Sequence, residues 1–467
     1  MVRLFLCICA SSQPRKRILV PLQPMKDEIS YGNIWRIAYP IIIGSVSQTI
    51  LNISDTVFVG RLGELELAAG ALGVLIYLTI IMVINGFTIG NQIIMARRFG
   101  EDRPNEIGRT FSNAFFLLFA IVTVVFVSIK LAAPSLITNL VSNRDIATLV
   151  GDFVQVRIWG LFFAAFMLLF RAFYVATANT KVLIAVTSTT VGLNIILNYA
   201  LIFGKLGLPA YGFVGAAMAS VISELVGFII ILGFTIYNRY FTKFSLVKLR
   251  YFKSKIVGEI LKIASPMMLQ HLISFSAWFV IFLIIERMGE RSLAISNIVR
   301  SLYITMMVPI WGFAEATNSL VSFLMGEKRF ERVPILVRRS MLLSFSGVFL
   351  IVCLFYPFLH QIIGFYTADP NLIAATLPVV KVVMLGSIIM SLGFIAFMAI
   401  SGTGNTLIAF GLEFSDIALY IVLAYILTVH LNANVTTMWF IETFYSGYML
   451  IVCLLYLRFG KWREKIV

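Results

Sequence analysis

Twelve stretches of continuously apolar sequence divide this chain, and no other feature restricts its fold as much. A helix crossing the hydrocarbon core of a bilayer needs about 20 mostly apolar residues. In that medium every backbone N–H and C=O must be paired within the protein. The runs occupy residues 34–58, 67–97, 108–132, 150–177, 181–204 and 212–238, then 259–286, 294–325, 338–358, 372–401, 406–429 and 434–458. They do not alternate in polarity, which excludes a transmembrane β-barrel. The expected fold class is an all-α integral membrane protein with twelve transmembrane helices. Composition agrees: 13% of residues are charged and 60% hydrophobic, where a soluble domain carries about 25% charged residues. A water-filling globular enzyme is thereby excluded. Four cysteines in 467 residues exclude a disulfide scaffold. Cys353 and Cys453 fall within apolar runs, where a small hydrophobe is the plain reading.

The net charge of +15, from 37 Lys and Arg against 22 Asp and Glu, is set by topology. Basic residues gather after spans 2, 6 and 8: Arg97, Arg98 and Arg103; Arg239, Lys243, Lys248, Arg250, Lys253 and Lys255; Lys328, Arg329, Arg332, Arg338 and Arg339. Cytoplasmic loops carry such an excess, so a multi-pass protein of the plasma (inner) membrane with both termini cytoplasmic is expected. No nucleic-acid partner is implied. Within the first 24 residues, 4–10 is too short an apolar run for a signal peptide, and Arg15-Lys16-Arg17 follows it at once. Met25-Lys26-Asp27-Glu28 reads as the natural start, with residues 1–24 an upstream extension without a role in transport. An anchoring role for Cys7 or Cys9 is the weaker alternative.

The chain also repeats itself. Ile34-Trp-Arg-Ile-Ala-Tyr-Pro40 aligns with Ile260-Leu-Lys-Ile-Ala-Ser-Pro266, an offset of 266 − 40 = 226. Without a gap, the same offset brings Gly63-Glu64 to Gly289-Glu290, Tyr77 to Tyr303, Gly86-Phe87 to Gly312-Phe313, Gly100-Glu101 to Gly326-Glu327 and Asn179-Thr180 to Asn405-Thr406. An even number of spans per half makes the repeats parallel, a common transporter plan with the substrate site between the halves. The expected division is an N-terminal cytoplasmic segment (1–33), a first lobe (34–238), a basic cytoplasmic linker (239–258), a second lobe (259–458) and a cytoplasmic tail (459–467).

Polar residues inside the spans are costly and mark pathways. Ser45, Gln48, Asn52 and Asp55 fall on one face of span 1, and Thr187, Thr190, Asn194 and Asn198 make a similar stripe on span 5. Span 2 adds Asn85, Thr88 and Gln92. These residues would line a wet cavity in the first lobe with Asp55 towards its outer end; the alternative is that amides and hydroxyls join helix to helix. Pro40 lies 15 residues before Asp55, where proline removes a helical hydrogen bond and serves as a hinge or a fixed kink. Pro266 repeats it. The second lobe places Ile281 opposite Asp55 and has its own set: Gln270, His271 and Ser274 on span 7, and Glu315, Asn318, Ser319 and Ser322 on span 8. Glu315 needs a partner or a cavity, and His271 is offered as that partner. Of Glu224, Glu413, Asp416 and Glu442, some are expected to pair with Arg157, Arg171 or Arg300.

A set of motifs stands out: Pro40 with Gln48-Thr-Ile-Leu-Asn-Ile-Ser-Asp55-Thr-Val-Phe-Val-Gly60, Asn194-Ile-Ile-Leu-Asn198, Gly207, Gly215-Ala-Ala217 and Ser401-Gly-Thr-Gly-Asn-Thr406. In these motifs the chain, from about residue 26 to its end, resembles the multidrug and toxic compound extrusion (MATE) family and is NorM-like in its first lobe. The resemblance implies a two-lobed secondary transporter that exchanges organic cations for H⁺ or Na⁺. It implies that Asp55 is the first-lobe acid, on a helix that bends at Pro40 when the acid is protonated, with Asn194 and Asn198 as its polar partners. Some branches of the family carry Asp where this chain has Asn198. Ser274 falls where NorM-like members have a Glu, and residues 391–400 contain no carboxylate, so a second-lobe Na⁺ site is not expected unless Glu315 substitutes.

The resulting expectation is a monomeric antiporter that expels amphipathic organic cations by alternating access. Asp55 would couple export to a proton, or to Na⁺ held by Asp55, Asn194 and Asn198, since carboxylate and amide oxygens are suitable hard ligands. No other cofactor is implied. A lipid-linked oligosaccharide flippase is the nearest rival, although the intramembrane residues lean acidic and amide-rich. A membrane-embedded enzyme is the rival from another class; it needs a paired-acid metal motif or a nucleophile–base set, and the spans show neither.

Overall fold

The structure, a computed structural model, describes residues 29–141, 143–431 and 433–464. Residues 1–24, with Cys7 and Cys9, lie outside the described residues. Among those described there is no β-strand. Eleven helices are long and apolar enough to cross a membrane, and a bent pair makes the twelfth. Spans 1 to 3 are Tyr31–Gly60, Glu64–Gly100 and Pro104–Leu140. Span 4 is the bent pair Arg144–Arg157 and Gly160–Ala176, and spans 5 and 6 are Lys181–Phe203 and Gly212–Tyr237. After a linker containing the short helix Tyr240–Lys243 come spans 7 to 9: Ser254–Glu286, Glu290–Gly326 and Val333–Phe355. Spans 10 to 12 are Pro370–Gly402, Thr406–Tyr425 and Val435–Phe459.

Capping residues set several helix starts. The side chains of Ser30, Asn143, Asp369 and Asn434 each accept a backbone N–H of the first turn. Three spans depart from the expected runs. Span 3 continues to Leu140. Span 4 is not one helix but breaks after Arg157 and turns by 51°. Span 9 ends at Phe355, and a 3₁₀ turn over Tyr356–Phe358, containing Pro357, leads into the short helix Leu359–Gly364. Hydrophobicity registers where a chain can cross but not where its axis changes. Pro40 and Pro266, in contrast, sit inside helices with no break in assignment.

The repeat is visible in how the lobes meet. A Cβ on Gly100 of span 2 would lie 2.0 Å from the Phe323 carbonyl oxygen of span 8, and one on Gly326 would lie 2.1 Å from the Arg97 carbonyl oxygen. Gly100 and Gly326 are related by the offset of 226, and so are Arg97 and Phe323. The two helices therefore cross symmetrically, backbone against backbone, at a point that admits no side chain. A second pair follows the same rule: Gly86 abuts Met267 and Met268 of span 7, and Gly312 abuts Ile42 of span 1, at 2.5 and 2.2 Å from the missing Cβ. Ser319 of span 8 adds a bond to the Val175 carbonyl of span 4 at 3.0 Å.

These contacts all lie in the half of the molecule nearest the basic linker. In that half span 2 is buried from Gly86 to Arg97. In the opposite half Gln48 and Asn52 are exposed and Asp55 is partly so. The lobes thus close on the linker side and part towards the far side, leaving the polar stripe of span 1 open. Adding one methyl group at Gly326 should cost about 1–3 kcal/mol through overpacking and lower the thermal unfolding midpoint. Gly411→Ala, where nothing lies within 4 Å of the new methyl, should not lower it, because alanine favours a helix over glycine by about 1 kcal/mol. Differential scanning fluorimetry of the two variants checks the pair.

Candidate functional site

Asp55 stands in the last two turns of span 1, opposite the matching end of span 5. There the Asn198 side-chain amide donates to Asp55 Oδ1 at 2.5 Å and to Asn194 Oδ1 at 2.7 Å. Asn194 in turn donates to Ser220 Oγ of span 6 at 3.2 Å. Asn194 and Asn198 are an i, i+4 pair, so one helical face presents both amides. Both N–H bonds of the Asn198 amide are engaged, and its oxygen is buried without a partner. The group aimed at the carboxylate is a donor, which suits an ionised Asp55. Na⁺ at the same place would require the amide to turn over and present its oxygen.

The other first-lobe positions are spread over spans 1, 2 and 5, and Gln92 and Thr190 are buried rather than open to the cleft expected from the sequence. Gln48 donates to Asn52 Oδ1 at 3.4 Å, one turn before Asp55. Asn85 is half-buried, and its carbonyl accepts the Thr88 hydroxyl at 2.9 Å. Gln92 is fully buried, with Nε2 unpartnered. Thr190 turns to its own helix, donating to the Val186 carbonyl at 2.8 Å, and packs against Gly227 of span 6.

In the second lobe the expected pairing of Glu315 with His271 does not form. Glu315 is bound by Arg171 of span 4, an ion pair that joins the lobes. The His271 ring engages the Met267 carbonyl of its own helix at 2.9 Å. Gln270 is buried with Oε1 unpartnered. Glu224 does pair, with Arg157. Arg300 instead lies 4.9 Å over the Phe282 ring.

Glu413, Asp416 and Glu442 are each at most 6% exposed, and among the described residues none takes part in an ion pair. Hydroxyls answer two of them instead: Ser274 donates to Glu413 at 2.5 Å, and Tyr303 donates to Glu442 at 2.8 Å. One oxygen of Glu413 and one of Asp416 have no partner. Buried carboxyl groups without a counter-charge need protons or a cation. Among the described residues no three acidic, His or Cys side chains converge to hold a metal ion. Sequence reasoning underrated this cluster. The signal was there: under the 226 offset Glu413 and Asp416 stand where the first lobe has Thr187 and Thr190, and Ser274 stands at Gln48. The second lobe thus places its acids about two turns nearer the linker side than Asp55.

Comparison with known proteins settles the family. The model of the MatE family matches residues 40–200 and again 266–426, a separation of 266 − 40 = 226. The chain belongs to the MatE family. Among curated MatE relatives, a probable multidrug resistance protein NorM of Aromatoleum aromaticum is 27% identical over 392 residues, covering 82% of this chain and 83% of the relative. A second, from Thermotoga maritima, is 24% identical and covers 92% and 93%. Two solved structures share the fold at 20% identity, each covering 97% of this chain and 100% of the other. One, at TM-score 0.88, is a MOP superfamily transporter from Pyrococcus furiosus whose reversed binding-pocket polarity is said to suggest a different function. The other, at 0.87, is an outward-facing multidrug resistance MATE transporter.

The Arg171–Glu315 bridge gives a stability test. Arg171→Leu strands a buried carboxylate and should destabilise the MatE protein by about 3–5 kcal/mol, whereas replacing both partners with apolar residues should recover most of that. Thermal melting of the single and double variants in one detergent measures it.

Proposed function

We infer that this MatE-family chain is an antiporter that exports amphipathic organic cations by alternating access. Asp55 serves as the group that couples export to a proton. The observation that carries the reading is the Asp55–Asn198–Asn194 array at the exposed end of the first lobe: an acid in the outer half of a span, held by an amide donor. The multidrug resistance proteins among its relatives support the substrate class. The open far side supports an arrangement from which substrate can leave.

In this mechanism ionised Asp55 holds span 1 against span 5 through a charge-assisted bond from Asn198. Protonation removes the charge, and the bond falls to roughly half its strength. Span 1 is then free to repack around Pro40, where one backbone hydrogen bond is already missing. That narrows the cleft and expels the substrate, a population shift biased by one proton. On this reading the basic linker faces the cytoplasm and the cleft opens outwards. Na⁺ coupling at Asp55, Asn194 and Asn198 is the alternative ion for the same site, and it requires the Asn198 amide to reverse.

The test is efflux of a fluorescent organic cation from proteoliposomes under an imposed pH gradient, a Na⁺ gradient, or both. Asp55→Asn should abolish gradient-driven efflux while leaving the protein folded, as a single symmetric peak in size-exclusion chromatography checks. Efflux retained in that variant removes Asp55 from the mechanism. Drive by Na⁺ alone at symmetric pH overturns the proton assignment.

A further inference from the structure

The polar contacts around Asp55 continue into a second group that no sequence motif marked. Ser220, which accepts from Asn194, and Glu224 stand one turn apart on the same face of span 6. Glu224 is gripped by Arg157 of span 4 in a two-pronged fork, Nη2 to Oε1 at 2.5 Å and Nη1 to Oε2 at 2.7 Å. The Tyr77 hydroxyl of span 2 donates to the same carboxylate at 3.3 Å, and the Arg157 guanidinium lies 3.7 Å from the Tyr77 ring centre. Span 4 breaks immediately after Arg157. Past the break, a Cβ on Gly160 would sit 2.3 Å from Glu224 Oε2 and 2.4 Å from Arg157 Nη1, so the fork closes only because that residue is glycine. Spans 1, 2, 4, 5 and 6 all contribute to this one array.

Its charges can be counted. Asp55 and Glu224 bring two negative charges and Arg157 one positive, a surplus of one negative charge. Hydrogen bonds link Asp55 through Asn198, Asn194 and Ser220 to span 6, one turn from Glu224 and its Arg157 partner. Lys130 of span 3 is turned to the Gln155 carbonyl at 2.7 Å, and Arg300 lies on Phe282 of the other lobe. On span 5 the groups facing Asp55 are the neutral amides.

We propose that Arg157 and Glu224 are positioning residues that hold the first-lobe site at a surplus of one negative charge, so that it accepts one monovalent cation at a time, either the coupling ion or a singly charged organic cation. This rests on the reading of Asp55 as the coupling group. Glu224 keeps Arg157 from neutralising Asp55, and the bend in span 4 places the fork where it can do so. Loss of either partner changes the charge of the site in an opposite sense, which packing alone would not do.

The experiment measures equilibrium binding of tetraphenylphosphonium, and of uncharged triphenylphosphine oxide, to the full chain in nanodiscs. Glu224→Gln leaves Arg157 to cancel Asp55, and tetraphenylphosphonium affinity should fall about tenfold or more, while the neutral probe is unaffected. Arg157→Gln should hold or raise cation affinity. The double variant restores the surplus of one charge and should return affinity to within about threefold of the parent. Arg157→Lys, which keeps the charge without the fork, guards against a misfolded Arg157→Gln and should bind the cation nearly normally. Equal losses for both probes, or losses of the same sign in Glu224→Gln and Arg157→Gln, overturn the proposal. Asp55→Asn in the same assay separates the two readings. If it binds tetraphenylphosphonium as the parent does, the coupling role fails whatever Arg157 and Glu224 do.

Discussion

Hydrocarbon cannot solvate a charge, and the architecture of this protein depends on how each carboxylate within its spans is answered. Two are answered by arginine. Arg157 grips Glu224 within the first lobe, and Arg171 binds Glu315 across the lobes. Asp55 is answered by an amide, and Glu413 and Glu442 by hydroxyls. The distinction is chemical. An arginine partner makes a permanent ion pair, whereas an amide or hydroxyl leaves the acid free to exchange a proton or a cation.

The same sorting shows how the two halves of a duplicated chain have diverged. Their seam is still symmetric: Gly100 and Gly326 meet Phe323 and Arg97 at equivalent distances, since neither half can add a side chain there without parting the lobes. Tyr77 and Tyr303, equivalent by the repeat, each donate to a glutamate on the last span of their own lobe. Away from the seam the equivalence fails. Asp55 has Ile281 as its counterpart, and Glu413 and Asp416 have Thr187 and Thr190. The glycines of the seam kept their character, whereas the acids within the spans, Glu315 of the inter-lobe pair among them, are not shared between the repeats.

Much of this was legible in the sequence. Twelve apolar runs, the offset of 226 and the face shared by Asn194 and Asn198 required only helical geometry and a comparison of the chain with itself. The link from Asn198 to Asp55 followed from the family resemblance. Less legible were features that depend on how helices pack in three dimensions. The break after Arg157 has no proline to announce it; just past it Gly160 lies close against a glutamate 64 residues further on (224 − 160). Glu315 looked to His271 on the neighbouring span, yet found Arg171 in the other lobe. Glu413 and Asp416 lie on one helix and Glu442 on the next, and only packing shows that Ser274 of span 7 meets Glu413 and Tyr303 of span 8 meets Glu442.

The central claim is that a proton and an organic cation compete for one carboxylate. Linkage requires that if they do, binding one displaces the other. Proton release on adding tetraphenylphosphonium to purified protein in a weakly buffered solution, near the pH at which Asp55 is half-protonated, measures this without any transport step. The parent protein should release up to about half a proton per bound cation at that pH, and Asp55→Asn none. Release of the same size from Asp55→Asn would contradict the claim.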